Sequence, residues 1–159
     1  MRSLQRRVIL GGLIWALLVT FVGGFALSSV FDGIADRGFN ARLVERHTQL
    51  VAALSDAQNI EDIETFLNDP AYFSIYSGRY WQVVGENGQQ VTSRSLFDAD
   101  LQINGADTFW ENQGPTGPLR GFSEDIELET NGSVWNVAVA ESLNALEAER
   151  GEIRRNVLL

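Results

Sequence analysis

Few residues in this chain could do chemistry. In "SEDIELETNG", Asp125, Glu127 and Glu129 alternate with Ile126 and Leu128, so on a strand the three carboxylates share one face. Such oxygens suit a hard cation, calcium or magnesium; a solvated face of an amphipathic strand has the same composition. Asp98, Asp100 and Asp107 are spaced too loosely for a calcium loop. His47 is the only histidine, which excludes a histidine metal cluster. It falls on an apolar helical stripe, where it fits either a helix–helix contact or a pH switch, since imidazole titrates near neutrality. Arg79, Tyr80 and Arg94 form the third group: they either pack and neutralise carboxylates or border a ligand pocket. Trp110 and Trp135 fit core positions or a ligand cage, and "GPTGPLRG" fits a plain loop or a pocket cover. A serine nucleophile would need His47 as its base, and no P-loop or GxGxxG occurs. No catalytic residue is assigned in this segment, and no resident cofactor beyond that cation.

The bulk composition narrows the class. There is no cysteine, which removes disulfides and thiolate metal sites. All twelve basic residues are arginine, against twenty-one acids, and the net charge is −9. Arg2, Arg6 and Arg7 lie in the first seven residues, so the remainder is more acidic still. Such a body repels a phosphate backbone, so no nucleic-acid partner is expected; it attracts cations or basic segments.

Val8 to Phe31 carries no charge. Crossing a bilayer takes about 20 apolar residues, so residues 8–31 read as a transmembrane helix behind a basic tail, residues 1–7. The arginines place the N-terminus in the cytoplasm and the body outside. A cleaved signal peptide, with "ALSS" as its site, is the rival; its apolar core is usually only about 7–15 residues. Gly12 with Ala16, and Gly24 with Ser28, have the spacing of a helix–helix contact.

Beyond the span, Phe39, Leu43, His47, Leu50 and Leu54 make one helical stripe, with Arg37, Arg42, Glu45, Arg46 and Gln49 on the other side. "NIEDIETFLNDP" reads as a short helix capped by Asn59 and stopped by Pro70. Tyr80–Val84 and Gln90–Ser95 make a hairpin around "ENGQ". Residues 98–118 read as loop. Leu119–Glu129 and Ser133–Ala140 make a second hairpin, with Trp135, Val137 and Val139 on one face. From Glu141 the pattern turns helical again, with Leu143, Leu146, Arg150, Ile153 and Val157 as its stripe. Helices beside an antiparallel sheet give an α+β domain over residues 32–142, followed by an exit helix over residues 143–159.

"SGRYWQV" (Ser77–Val83), then a hairpin and "SRSLFD" (Ser93–Asp98), resembles the extracytoplasmic sensor region of bacterial transmembrane sensor histidine kinases of the PhoQ-like group, where "SGxYWQ … SRSLWD" recurs. Phe97 stands where that pattern has tryptophan. "WNVAVAES" (Trp135–Ser142) looks like the closing strand of the same region. The resemblance runs along essentially the whole chain. It implies a PAS-like (PDC) sensor fold in the bacterial inner membrane, its body periplasmic. The stripes of the first and last helices fit the contacts of a homodimer, or burial against the module's own sheet. The resemblance also implies a second span, a HAMP linker and a kinase domain in cis, with a response regulator as partner, so the chain looks like the N-terminal piece of a phosphorelay kinase. His47 lacks a phosphoacceptor context. The alternatives are a single-pass anchored binding or assembly protein without a kinase, and a small secreted enzyme. The stimulus is open among divalent cations, cationic peptides, pH and small organic ligands.

Overall fold

The computed structural model describes residues 2–57, 59–103, 108–128 and 132–144. The chain divides into two compact units, Met1–Arg37 and Gly38–Leu159. Helix α1, Arg2–Asp56, supplies all of the first unit's described structure and opens the second. In the first unit Val8–Leu27 has a mean hydropathy of 2.3 over 20 residues and none of it is buried. This is one N-terminal helix long and apolar enough to cross a membrane. Two of its described polar side chains bond to the preceding turn: the Thr20 hydroxyl donates to the Ala16 carbonyl at 2.9 Å and Arg37 Nε to the Gly33 carbonyl at 2.9 Å.

The second unit is an α+β domain built on five antiparallel strands. They are β1 (Arg79–Gly85), β2 (Gln90–Thr92), β3 (Phe109–Gly114), β4 (Gly117–Glu127) and β5 (Val134–Ser142), in the spatial order β2-β1-β5-β4-β3. The last strand in sequence is therefore the middle one. Register separates the faces, since side chains directly opposite one another point the same way. Trp81 of β1, Val139 of β5, Phe122 of β4 and Phe109 of β3 form one row. On their face lies the α1 stripe, with Phe39, Leu43, His47, Leu50 and Leu54 all buried. The opposite face carries Tyr80, Ala138, Ala140, Trp110 and Leu119, covered by Leu96 and Leu101 of the following loop. The two aromatics of "RYW" thus fill two different cores, because neighbours on a strand alternate. Gly121 makes the second core possible: a Cβ there would collide with the Trp110 ring lying across it.

Several local expectations change. Residues 98–118 are not all loop, because β3 and the start of β4 lie within them. The two-residue turn Pro115–Thr116 joins the paired Gly114 and Gly117. β3 is an edge strand rich in Glu, Asn and Gln, which hides its alternation, and Pro118 is tolerated because it stands at the start of β4. β2 ends at Thr92, and Arg94–Leu96 form a 3-10 turn. Serine hydroxyls replace the ladder there. Ser93 Oγ accepts from the Trp81 amide at 3.1 Å, and Ser95 Oγ donates to the Arg79 carbonyl at 2.6 Å.

Helix α2 is a single turn, Ile63–Phe66, entered from a 3-10 turn at Ile60–Asp62. Asn59 does not cap it through a backbone amide; its side chain reaches Asp62 at 3.4 Å. Pro70 opens a further 3-10 turn, Pro70–Phe73, where a residue without an N–H costs nothing. Glu141 and Ser142 end β5 and begin no helix, since Glu141 pairs with Arg79 across the sheet. The expected exit helix lies from residue 145 onward outside the described residues, as do Asp107 and Glu129.

Candidate functional site

The site forms where the sheet meets α1. Arg79, Glu141, Arg120 and Glu111 occupy β1, β5, β4 and β3 at one level, each directly opposite the next. Their charges alternate in sign across four strands. Opposite charges facing one another across strands attract. Arg120 pairs with Glu111 at 2.7 Å, and Arg79 Nε lies 3.7 Å from Glu141. This row is on the face that α1 covers, and α1 grips it. Arg46 pairs with Glu141. Arg120 Nη1 donates to Asn40 Oδ1 at 3.4 Å, and its guanidinium lies over the Phe39 ring, 5.7 Å from the centroid. Glu141 is only 5% exposed, so its charge needs both arginines.

The same network reaches the 3-10 turn at Pro70–Phe73. Arg79 Nη1 donates to Asp69 Oδ2 at 3.0 Å, while Asp69 Oδ1 holds the Ala71 amide at 3.0 Å. Tyr72 is buried beside these charges, and burial pushes its phenol up to about 12. Beside Arg79 and Glu141 an open cleft of about 380 Å³ is lined by Tyr76, Ser77, Gly78, Thr116, Ser142 and Asn144 among others. Gly78 has φ +89°, and a Cβ there would press on Ser142, so only glycine keeps this wall close. Tyr76 and Phe97 are the non-glycine residues with positive φ among those described, at 54° and 57°. Their rings meet edge to face at 6.3 Å, and the Tyr76 hydroxyl donates to Asp98 Oδ1 at 2.6 Å. That bond holds the Tyr76 proton and raises its pKa.

The three sequence-derived groups are dispersed. Arg79 joins the cleft and the charge row. Tyr80 points to the opposite face, fully buried, its hydroxyl 3.4 Å from Thr116 Oγ1. Arg94 pairs with Glu64 at 2.9 Å and stacks over Phe73 in a second, shallower cleft of about 500 Å³. Asp125 and Glu127 are exposed on the face away from α1, where Asp125 accepts from Asn136 Nδ2 at 2.7 Å. No group of three potential metal-ligating side chains converges among the described residues. His47 is buried at a helix–sheet contact, not a helix–helix one, with its ring 4.8 Å from that of Phe122. Trp110 is buried and Trp135 half-buried, its indole N–H donating to Ser133 Oγ at 2.9 Å.

Arg46, Asp69, Tyr72 and Glu141 were not singled out by sequence. Arg46 sits one position before His47, at the flank of the buried stripe, and not on the solvent side. A signal for Glu141 existed: the alternation Trp135, Val137, Val139 continues to Glu141, aiming one acid at a covered face. No family model, curated protein or solved structure matches this chain.

Proposed function

We propose that this chain is the membrane-anchored, extracytoplasmic sensor module of a two-component histidine kinase, with a PAS-like domain held outside the inner membrane. The observation that carries this reading is the linkage at Glu141. One buried carboxylate, two residues before Leu143, is shared between Arg46 of α1 and Arg79 at the rim of an open cleft. A ligand in that cleft competes for the Arg79 guanidinium and so alters what holds α1 to the sheet. Signalling is then a population shift between two packings of α1, since a ligand shifts an equilibrium by its differential affinity for the two states. In a homodimer, small helix displacements at the interface would pass the change to an exit helix, a second span and a kinase domain in cis. The "SGRYWQV" and "SRSLFD" pattern and the apolar Val8–Leu27 helix agree with this reading.

The coding sequence downstream of Leu159 tests it. A second apolar span of about 20 residues, followed by a HAMP linker and kinase motifs, is expected. A stop codon there, or a topology reporter fused after Ser142 that reads cytoplasmic, overturns it.

A further inference from the structure

His47 lies in the seam between α1 and the sheet and is 4% exposed. Its stripe neighbours are Leu43 and Leu50, and its ring packs edge-on against Phe122 at 79°. The Val137 backbone lies near enough to favour its charged form, while Nε2 has no hydrogen-bond partner among the described residues. A neutral imidazole suits this place: with Nε2 unprotonated no buried N–H is left there without an acceptor, and the ring meets apolar surface. An imidazolium does not suit it, because both nitrogens become donors and a buried charge requires a partner.

The charged groups on the covered sheet face are Arg79 of β1, Glu111 of β3, Arg120 and Glu124 of β4 and Glu141 of β5. Those flanking His47 on α1 are Arg42, Glu45 and Arg46. Glu141 is engaged by Arg46 and Arg79, and Glu111 by Arg120. Glu124 is opposite Val137, on the exposed margin of the face, and it attracts a positive His47. A protonated ring is thus drawn toward the edge of the seam, while its own backbone is part of the helix that closes the seam.

We infer that His47 is an acid-operated latch: proton uptake by its ring shifts α1 from its closed packing on β4 and β5 to an opened one, with the imidazolium turned toward Glu124. The consequence that the module reads acidification on its own side of the membrane rests on the sensor reading above; the latch itself does not. Burial holds the imidazole below its ordinary value, with Glu124 and the Val137 backbone pulling it part of the way back. The latch is therefore closed at neutral pH. Between the ordinary histidine value and the lower one of the closed state, the opened form gains up to about tenfold per pH unit.

The test uses the full chain in lipid nanodiscs without an affinity tag. With one histidine and no cysteine, ring-labelled histidine gives a single NMR signal, and Gln49→Cys with Glu127→Cys gives one spin-label pair across the seam. The expected result is a ring that titrates below about 6.5, an interspin distance that changes over the same pH range, and no such change in His47→Gln. Glu124→Gln, which removes the attracting charge, moves both transitions to lower pH. A ring titrating at its ordinary value, a distance that ignores the ring's titration, or an acid-driven change that persists in His47→Gln overturns the latch. Should His47→Gln not fold, an unmoved transition in Glu124→Gln overturns it instead. Opening without any effect on an attached kinase would refute the sensor reading and leave the latch standing.

Discussion

Replacing Glu141 by glutamine keeps the shape and removes the charge. Its carboxylate is 7% exposed and faces Arg46, whose side chain is 15% exposed, and the more open Arg79 at 39%. Removing one partner of a buried ion pair costs about 3–5 kcal/mol, because the other charge stays buried. Here Arg79 keeps Asp69 and some water, and the amide oxygen still accepts a hydrogen bond, so the lower end applies, about 3 kcal/mol. For a domain of this size that lowers the melting temperature by on the order of 10 °C. Far-UV circular dichroism of the full chain in detergent, followed through heat and urea, measures it. The double variant Arg46→Met, Glu141→Leu removes both charges together. It is expected to be more stable than Glu141→Gln, since apolar replacement of a whole buried pair is often neutral or favourable. A Glu141→Gln cost below about 0.5 kcal/mol, the scale of an ordinary surface change, would show that Glu141 is not the clasp described above. So would a double variant no better than the sum of its singles.

Three further outcomes follow from the geometry. Tyr72 has a folded-state pKa of about 12 against an ordinary 10.0. The unfolded chain therefore releases that proton first, and stability falls as pH rises from about 10 to about 12, by roughly 2–3 kcal/mol. Tyr72→Phe should remove this alkaline loss in urea titrations at stepped pH. Gly121→Val forces the Trp110 ring off β4 and is expected to cost about 1–3 kcal/mol, with a red shift in tryptophan emission as that indole meets water. If divalent cations are the stimulus and bind the acidic strand, Asp125→Asn with Glu127→Gln abolishes any calcium- or magnesium-induced rise in melting temperature; an undiminished rise removes the strand from consideration.

The architecture was legible where period and charge were unambiguous. The apolar helix, the α1 stripe and the β1 and β5 strands follow from their spacing, because a buried face must repeat with its element's period. β3 was not legible, since an edge strand can carry polar residues on most positions. Ser93 and Ser95 read as ordinary strand residues, yet their hydroxyls substitute for ladder bonds, a role that depends on which carbonyls come near. The charge row was hidden for a different reason. Its four members come from four strands, and their alternation of sign exists only in the register. Arg79 was recognised as a neutralising cation, but its partners Asp69 and Glu141 lie 10 and 62 positions away in sequence.

The strand order also constrains how the domain comes into being. β1 with β2, and β3 with β4, are local hairpins that can form as soon as they are synthesised. Neither pairs with the other: β5 lies between them and pairs with both. Until Ser142 has left the ribosome, the nascent chain holds two separate ribbons, each with an unpaired inner edge open to wrong partners. The domain closes in one late step, when the final strand threads the gap and brings Glu141 to Arg46 and Arg79. Any truncation before that strand therefore yields two hairpins and an unclasped helix, and shortening by nine residues from Ser142 would remove the central strand of the sheet rather than trim an end.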